Sequence, residues 1–184
     1  MDVRTAIETR RAYRSLAPVT ITEELITDLA TCAQLSASCY NKQPWRYVFV
    51  YEPEALKSMH EALSKGNEWA YNASMIIAVF SHKDLDCLTE GREYFLFDTG
   101  MATAFLILRA TELGLVAHPI AGFKAGKVKE ILRIPEDMYV ITLVICGKHA
   151  NTIQPELSEK QAEAERNRPD RKPLTEFVYH QTVK

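Results

Sequence analysis

The chain has 184 residues, enough for one domain with a sizeable core. Hydrophobic residues make up 47% and charged residues 25%; 22 Lys and Arg stand against 24 Asp and Glu, a formal net charge of −2. That balance excludes a collagen-like or low-complexity chain and argues against a general nucleic-acid binder, which carries a basic excess.

The N-terminus, Met1-Asp2-Val3-Arg4-Thr5, has no basic segment leading into an apolar one, so it does not read as a secretory signal. Val3 to Arg11 has a helical pattern, with Val3, Ala6 and Ile7 on one face. Thr20-Ile21-Thr22-Glu23 has the form of a capping box, and Leu25, Ile26, Leu29, Ala30 and Ala33 follow at helical spacing. A polar loop, Ser36 to Pro44, leads to a strand at Tyr47–Tyr51. Pro53-Glu54 starts a short helix through Leu63, and Ser74 to Phe80 is an apolar run of strand length. Phe95 to Leu113 reads as a long helix, apolar on more than one face and closed by Gly114. The longest apolar-rich segment, Met101 to Leu115, is interrupted by Thr103, Arg109, Thr111 and Glu112 and is too short to span a bilayer. Val116 to Ile120 is a short strand, Val128 to Leu132 a small helix, and Met138 to Cys146 a buried strand.

Composition changes after Gly147. From Asn151 to Pro173 ten of 23 residues are charged, which predicts little contribution to a core. Phe177-Val178-Tyr179 then returns to strand-like character and needs a sheet edge to pair with, in its own chain or in another copy. Residues 1–149 are therefore expected to form the core and 150–184 an arm. The four cysteines, Cys32, Cys39, Cys87 and Cys146, lack C-x-x-C spacing and are expected to be free thiols in a cytoplasmic protein. Cys39 is expected to act as a small buried hydrophobe.

Neither G-x-G-x-x-G nor G-x-x-x-x-G-K-[ST] occurs, and no His/Cys/Asp/Glu spacing points to a metal. Four other constellations stand out. Arg10-Arg11-Ala12-Tyr13-Arg14 places three guanidiniums within five residues, a donor set suited to phosphate. Ser36 to Trp45 crowds small residues, hydroxyls and amides into one loop, with Trp45 as a core anchor. His118-Pro119-Ile120-Ala121-Gly122-Phe123 follows a strand, where backbone N–H groups can face a planar heterocycle. Arg168-Pro169-Asp170-Arg171-Lys172-Pro173 is a second cationic cluster, of a kind that is usually solvated. Asp98 is expected to cap the long helix, and His118 is a lesser candidate for an acid.

Taken together, Arg10-Arg11-x-x-Arg14 and Ser38-x-x-Asn41-x-Gln43-Pro44-Trp45 resemble the nitroreductase family of flavoproteins. Asp98-Thr99-Gly100-Met101-Ala102, Pro119-Ile120-x-Gly122-Phe123, Leu132-x-Ile134-Pro135-Glu136 and Arg171-Lys172-Pro173-Leu174-x-Glu176 extend the resemblance over nearly the whole chain. It implies an α+β fold, with a mostly antiparallel sheet flanked by helices. It further implies a homodimer in which the C-terminal arm adds a strand to the partner, with FMN at the subunit interface. Carried over position by position, Arg10, Arg11, Ala12, Arg14 and Arg171 would meet the phosphate and the pyrimidine edge of the flavin. Ala37, Ser38, Cys39 and Asn41 would meet it from the other subunit, and Pro119, Ile120, Ala121 and Gly122 would lie along the ring. The implied activity is transfer of hydride or electrons from NADH or NADPH to a nitroaromatic, a quinone or a similar acceptor, in two steps. The alternatives are a flavin store or sensor without turnover, and a relative with different flavin chemistry. Ala12, Cys39 and Ala121 depart from common family residues, and the chain lacks a long insertion before the Phe95 helix. Asn67 and Trp69 would then either fill the pocket or sit in a surface loop.

Overall fold

A computed structural model describes residues 1–183. Its elements are α1 (Val3–Thr9), β1 (Leu16–Ala17), α2 (Glu23–Gln34), β2 (Arg46–Val50), α3 (Pro53–Met59), β3 (Met75–Ser81), β4 (Leu88–Thr89), β5 (Arg92–Glu93), α4 (Phe95–Glu112), β6 (Leu115–Ile120), α5 (Ala125–Leu132), β7 (Tyr139–His149) and α6 (Glu159–Arg166). Five strands form one antiparallel sheet in the order β1-β7-β3-β2, with β6 also paired to β7. Strands β4 and β5 make a separate hairpin.

The apolar runs in β3 and β7 are continuous because both faces of the sheet are covered. Ile76, Ala78, Leu143 and Ile145 point into one core, with Met59, Trp69 and Val128. Met75, Ile77, Val79, Val144 and Cys146 point into the other, with Leu29, Trp45, Ala102 and Leu106. The period of two along each strand divides one run of residues between two layers. Helix α4 lies in the second layer, packed against α2, and Gly114 at φ +76° closes it in the left-handed conformation that favours glycine. The cap of α2 is Thr22, whose side chain accepts from the Leu25 N–H; it is not Thr20. Thr22 lies directly before the first helical residue, where an N-cap oxygen can reach the second or third N–H.

His118 of β6 is buried and stacks on Trp69, with ring centroids 4.8 Å apart. Its Nδ1–H donates to the Tyr13 carbonyl at 3.0 Å, which ties β6 to the segment before β1. Burial holds the imidazole down at about 4, against the opposing pull of that hydrogen bond, and Arg14 adds to the lowering. It is therefore a neutral strut at pH 7, and the sequence candidate for an acid is corrected.

The polar segment after Gly147 contributes more than its composition suggested. Helix α6 begins with a capping box, Ser158 to Gln161, and docks on the N-terminal segment of its own chain. Glu165 is buried there: its carboxylate accepts from the Arg14 N–H at 2.5 Å and the Ser15 N–H at 3.4 Å, and it lies 3.4 Å from His149 Nε2. A helix with a polar sequence can bury one carboxylate when backbone donors meet it. The expected strand at Phe177–Tyr179 is absent. Leu174–Glu176 forms a short 3₁₀ turn instead, and Phe177, Val178 and Tyr179 are exposed. A strand needs an edge to pair with, and the described tail pairs with no strand of this chain.

The apolar face expected for α1 is also uncovered. Ala6 is buried, but Val3 is 71% and Ile7 53% exposed. They stand near Leu35 and Phe105, which are exposed as well. No described helix is long and apolar enough to cross a membrane.

Two outcomes are expected. Glu165→Ala leaves the Arg14 and Ser15 N–H groups without their acceptor and lowers stability by about 1–3 kcal/mol in urea unfolding. The second concerns His118, whose folded pKa of about 4 lies below its ordinary value of 6.5. The unfolded chain therefore binds more protons in that window. The stability this group provides is complete above pH 6.5 and is lost as pH falls toward 4. The loss is about 3 kcal/mol, and His118→Gln should flatten the stability profile over that range by a comparable amount.

Candidate functional site

The two basic clusters, far apart in sequence, meet in space. Arg10, Arg11, Ala12 and Arg14 share a cavity of about 170 Å³ with Arg168 and Arg171. Docking of α6 brings this about. Arg11 Nη2 donates to the carbonyls of Ala164 at 2.8 Å and Glu165 at 3.1 Å, and its guanidinium lies 4.6 Å over the Tyr13 ring. Arg168 donates to the carbonyls of Glu8 and Arg10. Arg10 is held below its ordinary value by burial and then by the charges of Arg168 and Arg171. Burial also lowers Arg14, against the opposing pull of Glu165. Guanidiniums gathered at this cost form a site for an anion. Arg168 is part of it, although its sequence context read as solvated charge.

The Ser36–Trp45 loop has an unusual backbone. Tyr40, Asn41 and Gln43 all have positive φ, at 47°, 56° and 51°. Three such non-glycine residues in four positions store strain that the surroundings must hold. Ser38 Oγ accepts from the Gln43 N–H at 3.0 Å, Asn41 Oδ1 accepts from Gln43 Nε2 at 3.1 Å, and Trp45 is buried as its anchor. Ala37, Ser38, Cys39 and Tyr40 line a cavity of about 350 Å³ with the start of α4. Asp98, 2% exposed, does not cap that helix; its carboxylate accepts from the Cys39 N–H at 2.7 Å and pins the loop to α4.

Cys39 is not a buried free thiol. It forms a disulfide with Cys87, while Cys32 and Cys146 are free. The expectation of four free thiols fails because the fold brings the loop after α2 beside the turn before β4, 48 residues away. Asp86 lies with the two sulfurs, the three ligand atoms being within 4.8 Å of one another.

The third segment, Pro119 to Gly122, is braced from below. Gly122 C=O accepts from the Ser64 N–H at 3.0 Å and from Asn67 Nδ2 at 2.8 Å. Asn67 Oδ1 in turn accepts from Trp69 Nε1 at 3.2 Å. A Cβ on Gly122 would come within 2.4 Å of Asn67 Nδ2, so this close approach requires glycine. Pro119 and Ala121 are exposed, whereas Ile120 points into the core. Trp69 is a core residue, and Asn67, half-buried in the turn before it, positions the segment.

The structure thus unites Arg10, Arg11, Ala12, Arg14 and Arg171 in one cavity and gathers Ala37, Ser38 and Cys39 in another. The two cavities have no residue in common. Tyr94, Phe97 and Met101 line the second cavity and were not singled out from the sequence. Their spacing on the first turns of the long helix was the available signal.

Comparison with known proteins bears on this arrangement. The model of the nitroreductase family matches residues 7–68 and 58–148. An Archaeoglobus fulgidus protein, provisionally named NADH dehydrogenase/NAD(P)H nitroreductase, is 30% identical over 145 residues, covering 77% of this chain and 82% of that protein. A crystal structure described as an oxidoreductase containing FMN superposes with a TM-score of 0.85 at 27% identity, over 100% of this chain and 93% of that one. A nitroreductase from Exiguobacterium sibiricum, solved in complex with FMN, superposes at 0.79 over 98% of both chains; at 21% identity it speaks to the fold alone. The family match spans most of the chain, in the segments that carry the arginine cluster, the strained loop and the braced strand end. On these grounds the chain belongs to the nitroreductase family.

Proposed function

We propose that the protein is an FMN-dependent oxidoreductase that passes reducing equivalents from NADH or NADPH to a small electron-poor acceptor such as a nitroaromatic or a quinone. One observation carries this reading: the cavity formed by Arg10, Arg11, Arg14, Arg168 and Arg171. Arg10, Arg11 and Arg14 are half-buried and Arg168 and Arg171 exposed, and the charges of the latter two act on Arg10; a dianionic phosphate in the cavity would relieve that repulsion. The residues therefore fit the phosphate end of FMN. The related structures that contain FMN support the same choice.

FMN, when bound, supplies the hydride chemistry at its ring; the protein binds, orients and tunes it. Arg10, Arg11, Arg14 and Arg171 would hold the phosphate, with Arg168 behind them, and Ala12 lies in the same wall. Pro119, Ile120, Ala121 and Gly122 would lie along the ring, where exposed backbone N–H groups favour negative charge on the reduced form. Asn67 keeps that backbone in place. Ala37, Ser38, Cys39 and Asn41 would approach from a partner subunit. No side chain is assigned as an obligatory acid or base.

A homodimer is part of the same proposal. The loop and the arginine cavity are separate features of one chain, so a second copy is the natural way to bring them to one ligand. The exposed apolar residues Val3, Leu35 and Phe105 around a cavity of about 380 Å³, with Ile7 exposed on the same helix as Val3, supply a surface for that copy. Phe177, Val178 and Tyr179 would then find on the partner the sheet edge they lack here. Residues 1–149 would be the core and 150–184 an arm whose first half, α6, stays at home. Cytoplasmic location is part of this reading as the site of the nicotinamide donors.

The purified protein is expected to be yellow, with about one FMN per chain by absorbance. Arg14→Ala and Arg171→Ala should each raise the FMN dissociation constant by about 10- to 100-fold, the loss of one charge-assisted contact. Anaerobic NADH or NADPH should bleach the flavin, and an added quinone should restore it; loaded protein inert to both nicotinamides would be a flavin store instead. Sedimentation should give a dimer. Phe105→Glu should shift it toward monomer and lower FMN occupancy together.

A further inference from the structure

We propose that Cys39–Cys87 is a redox-active disulfide that exchanges with dithiols, with Asp86 as proton donor to the departing sulfur. This goes beyond the flavin reading and does not rest on it. Sγ of both cysteines and a carboxylate oxygen of Asp86 lie within 4.8 Å of one another. Asp86 is only 8% exposed. Its Oδ1 accepts from the Cys87 N–H at 2.8 Å, while its Oδ2 is buried and has no hydrogen-bond partner among the described residues. Beside it, Asp98 is more deeply buried and accepts from the Cys39 N–H. The buried Asp98 carboxyl beside it disfavours the ionised form of Asp86. Burial raises Asp86 first and Asp98 raises it further; the Cys87 N–H and Lys42 pull the other way. The groups facing Asp86 are therefore Asp98 from α4 and Lys42 from the strained loop. Oδ1 of Asp86 has a structural partner in the Cys87 N–H, but the buried Oδ2 has none, and proton delivery to the neighbouring sulfur gives it a task.

Cys39 is half-buried and lines the cavity of about 350 Å³, so its sulfur is the one an incoming thiolate reaches. Attack forms a mixed disulfide with Cys39 and breaks the S–S bond, and the Cys87 sulfur leaves with the electron pair and takes the proton from Asp86. The second thiol of the reductant then attacks the mixed disulfide, closes its own disulfide and releases Cys39 as a thiolate, which is protonated from water. The external dithiol loses two electrons and the protein disulfide gains them. The consequence is local: the bond is a removable tether between the Ser38 loop and the segment leading to the β4–β5 hairpin.

The test uses full-length protein purified without reductant, exposed to graded dithiothreitol, quenched in acid, and alkylated under denaturing conditions for mass analysis. Cys32 and Cys146 should label throughout, and Cys39 and Cys87 should become labelled together as dithiol is added to the folded protein. Asp86→Asn should slow this reduction about tenfold below pH 7. Asp98→Asn, which removes the neighbouring carboxylate, should move the pH at which the rate breaks downward, and it serves as the second variant if Asp86→Asn fails to fold. The proposal is overturned if the pair labels without reductant, with or without stoichiometric zinc. It is equally overturned if the disulfide yields only after unfolding, or if both variants match the native rate and pH profile. None of these readouts requires flavin, so failure here is distinct from failure of the FMN reading.

Discussion

Five guanidiniums converge on one small cavity, and much of the architecture serves to hold them there. Arg10, Arg11 and Arg14 come from the segment between α1 and β1; Arg168 and Arg171 come from the stretch after α6. They meet because Glu165 accepts two backbone N–H groups beside Arg14 and because Arg11 reaches the last carbonyls of α6. Arg11 and Arg168 donate to neutral backbone carbonyls, and Glu165 offsets part of the charge at Arg14, so five guanidiniums face the cavity with one carboxylate nearby. The lowered Arg10 and Arg14 express the remaining cost. An anion in the cavity would offset it, and the occupant proposed above is the phosphate of a flavin.

The rest of the molecule positions two further surfaces around this charge. Asn67, fixed by Trp69, grips the Gly122 carbonyl and leaves the Pro119–Ala121 backbone facing outward. Asp98 grips the Cys39 N–H and helps hold three left-handed residues in the next loop. Both devices place one buried polar group under an exposed backbone segment. This is the arrangement expected where backbone rather than side chains meets a ligand, and it fits an enzyme in which the cofactor carries the chemistry.

Much of the fold was legible in the sequence for a simple reason. The continuous runs Met75–Phe80 and Tyr139–Cys146 are long enough only for strands, and Phe95–Glu112 only for a central helix. Three guanidiniums at residues 10–14 suit a phosphate, but alone the cluster reads equally as a solvated basic turn, and it points to a flavin phosphate only beside the other motifs of the family resemblance. What was not legible depended on distance in sequence. No local pattern joins Cys39 to Cys87, Asp98 to the Cys39 N–H, or Glu165 to Arg14; each pair meets only after the sheet is built. Helix α6 was obscured because its buried anchors are one small alanine, Ala162, and a carboxylate, Glu165, which composition counts as solvent-exposed. The tail at Phe177–Tyr179 shows the converse: its apolar residues have strand character, but a strand requires a neighbour that a single chain does not present.

The most direct test of the account compares FMN with riboflavin, which has the same ring and lacks the phosphate. In titrations of flavin-free protein followed by flavin fluorescence, FMN should bind at least about 100-fold more tightly than riboflavin, since several charge-assisted contacts go to the phosphate. Substituting Arg10 or Arg171 by Ala should narrow that ratio while leaving riboflavin affinity nearly constant. Equal affinity for the two flavins, or a ratio untouched by either substitution, would contradict the assignment of the arginine cavity to the FMN phosphate.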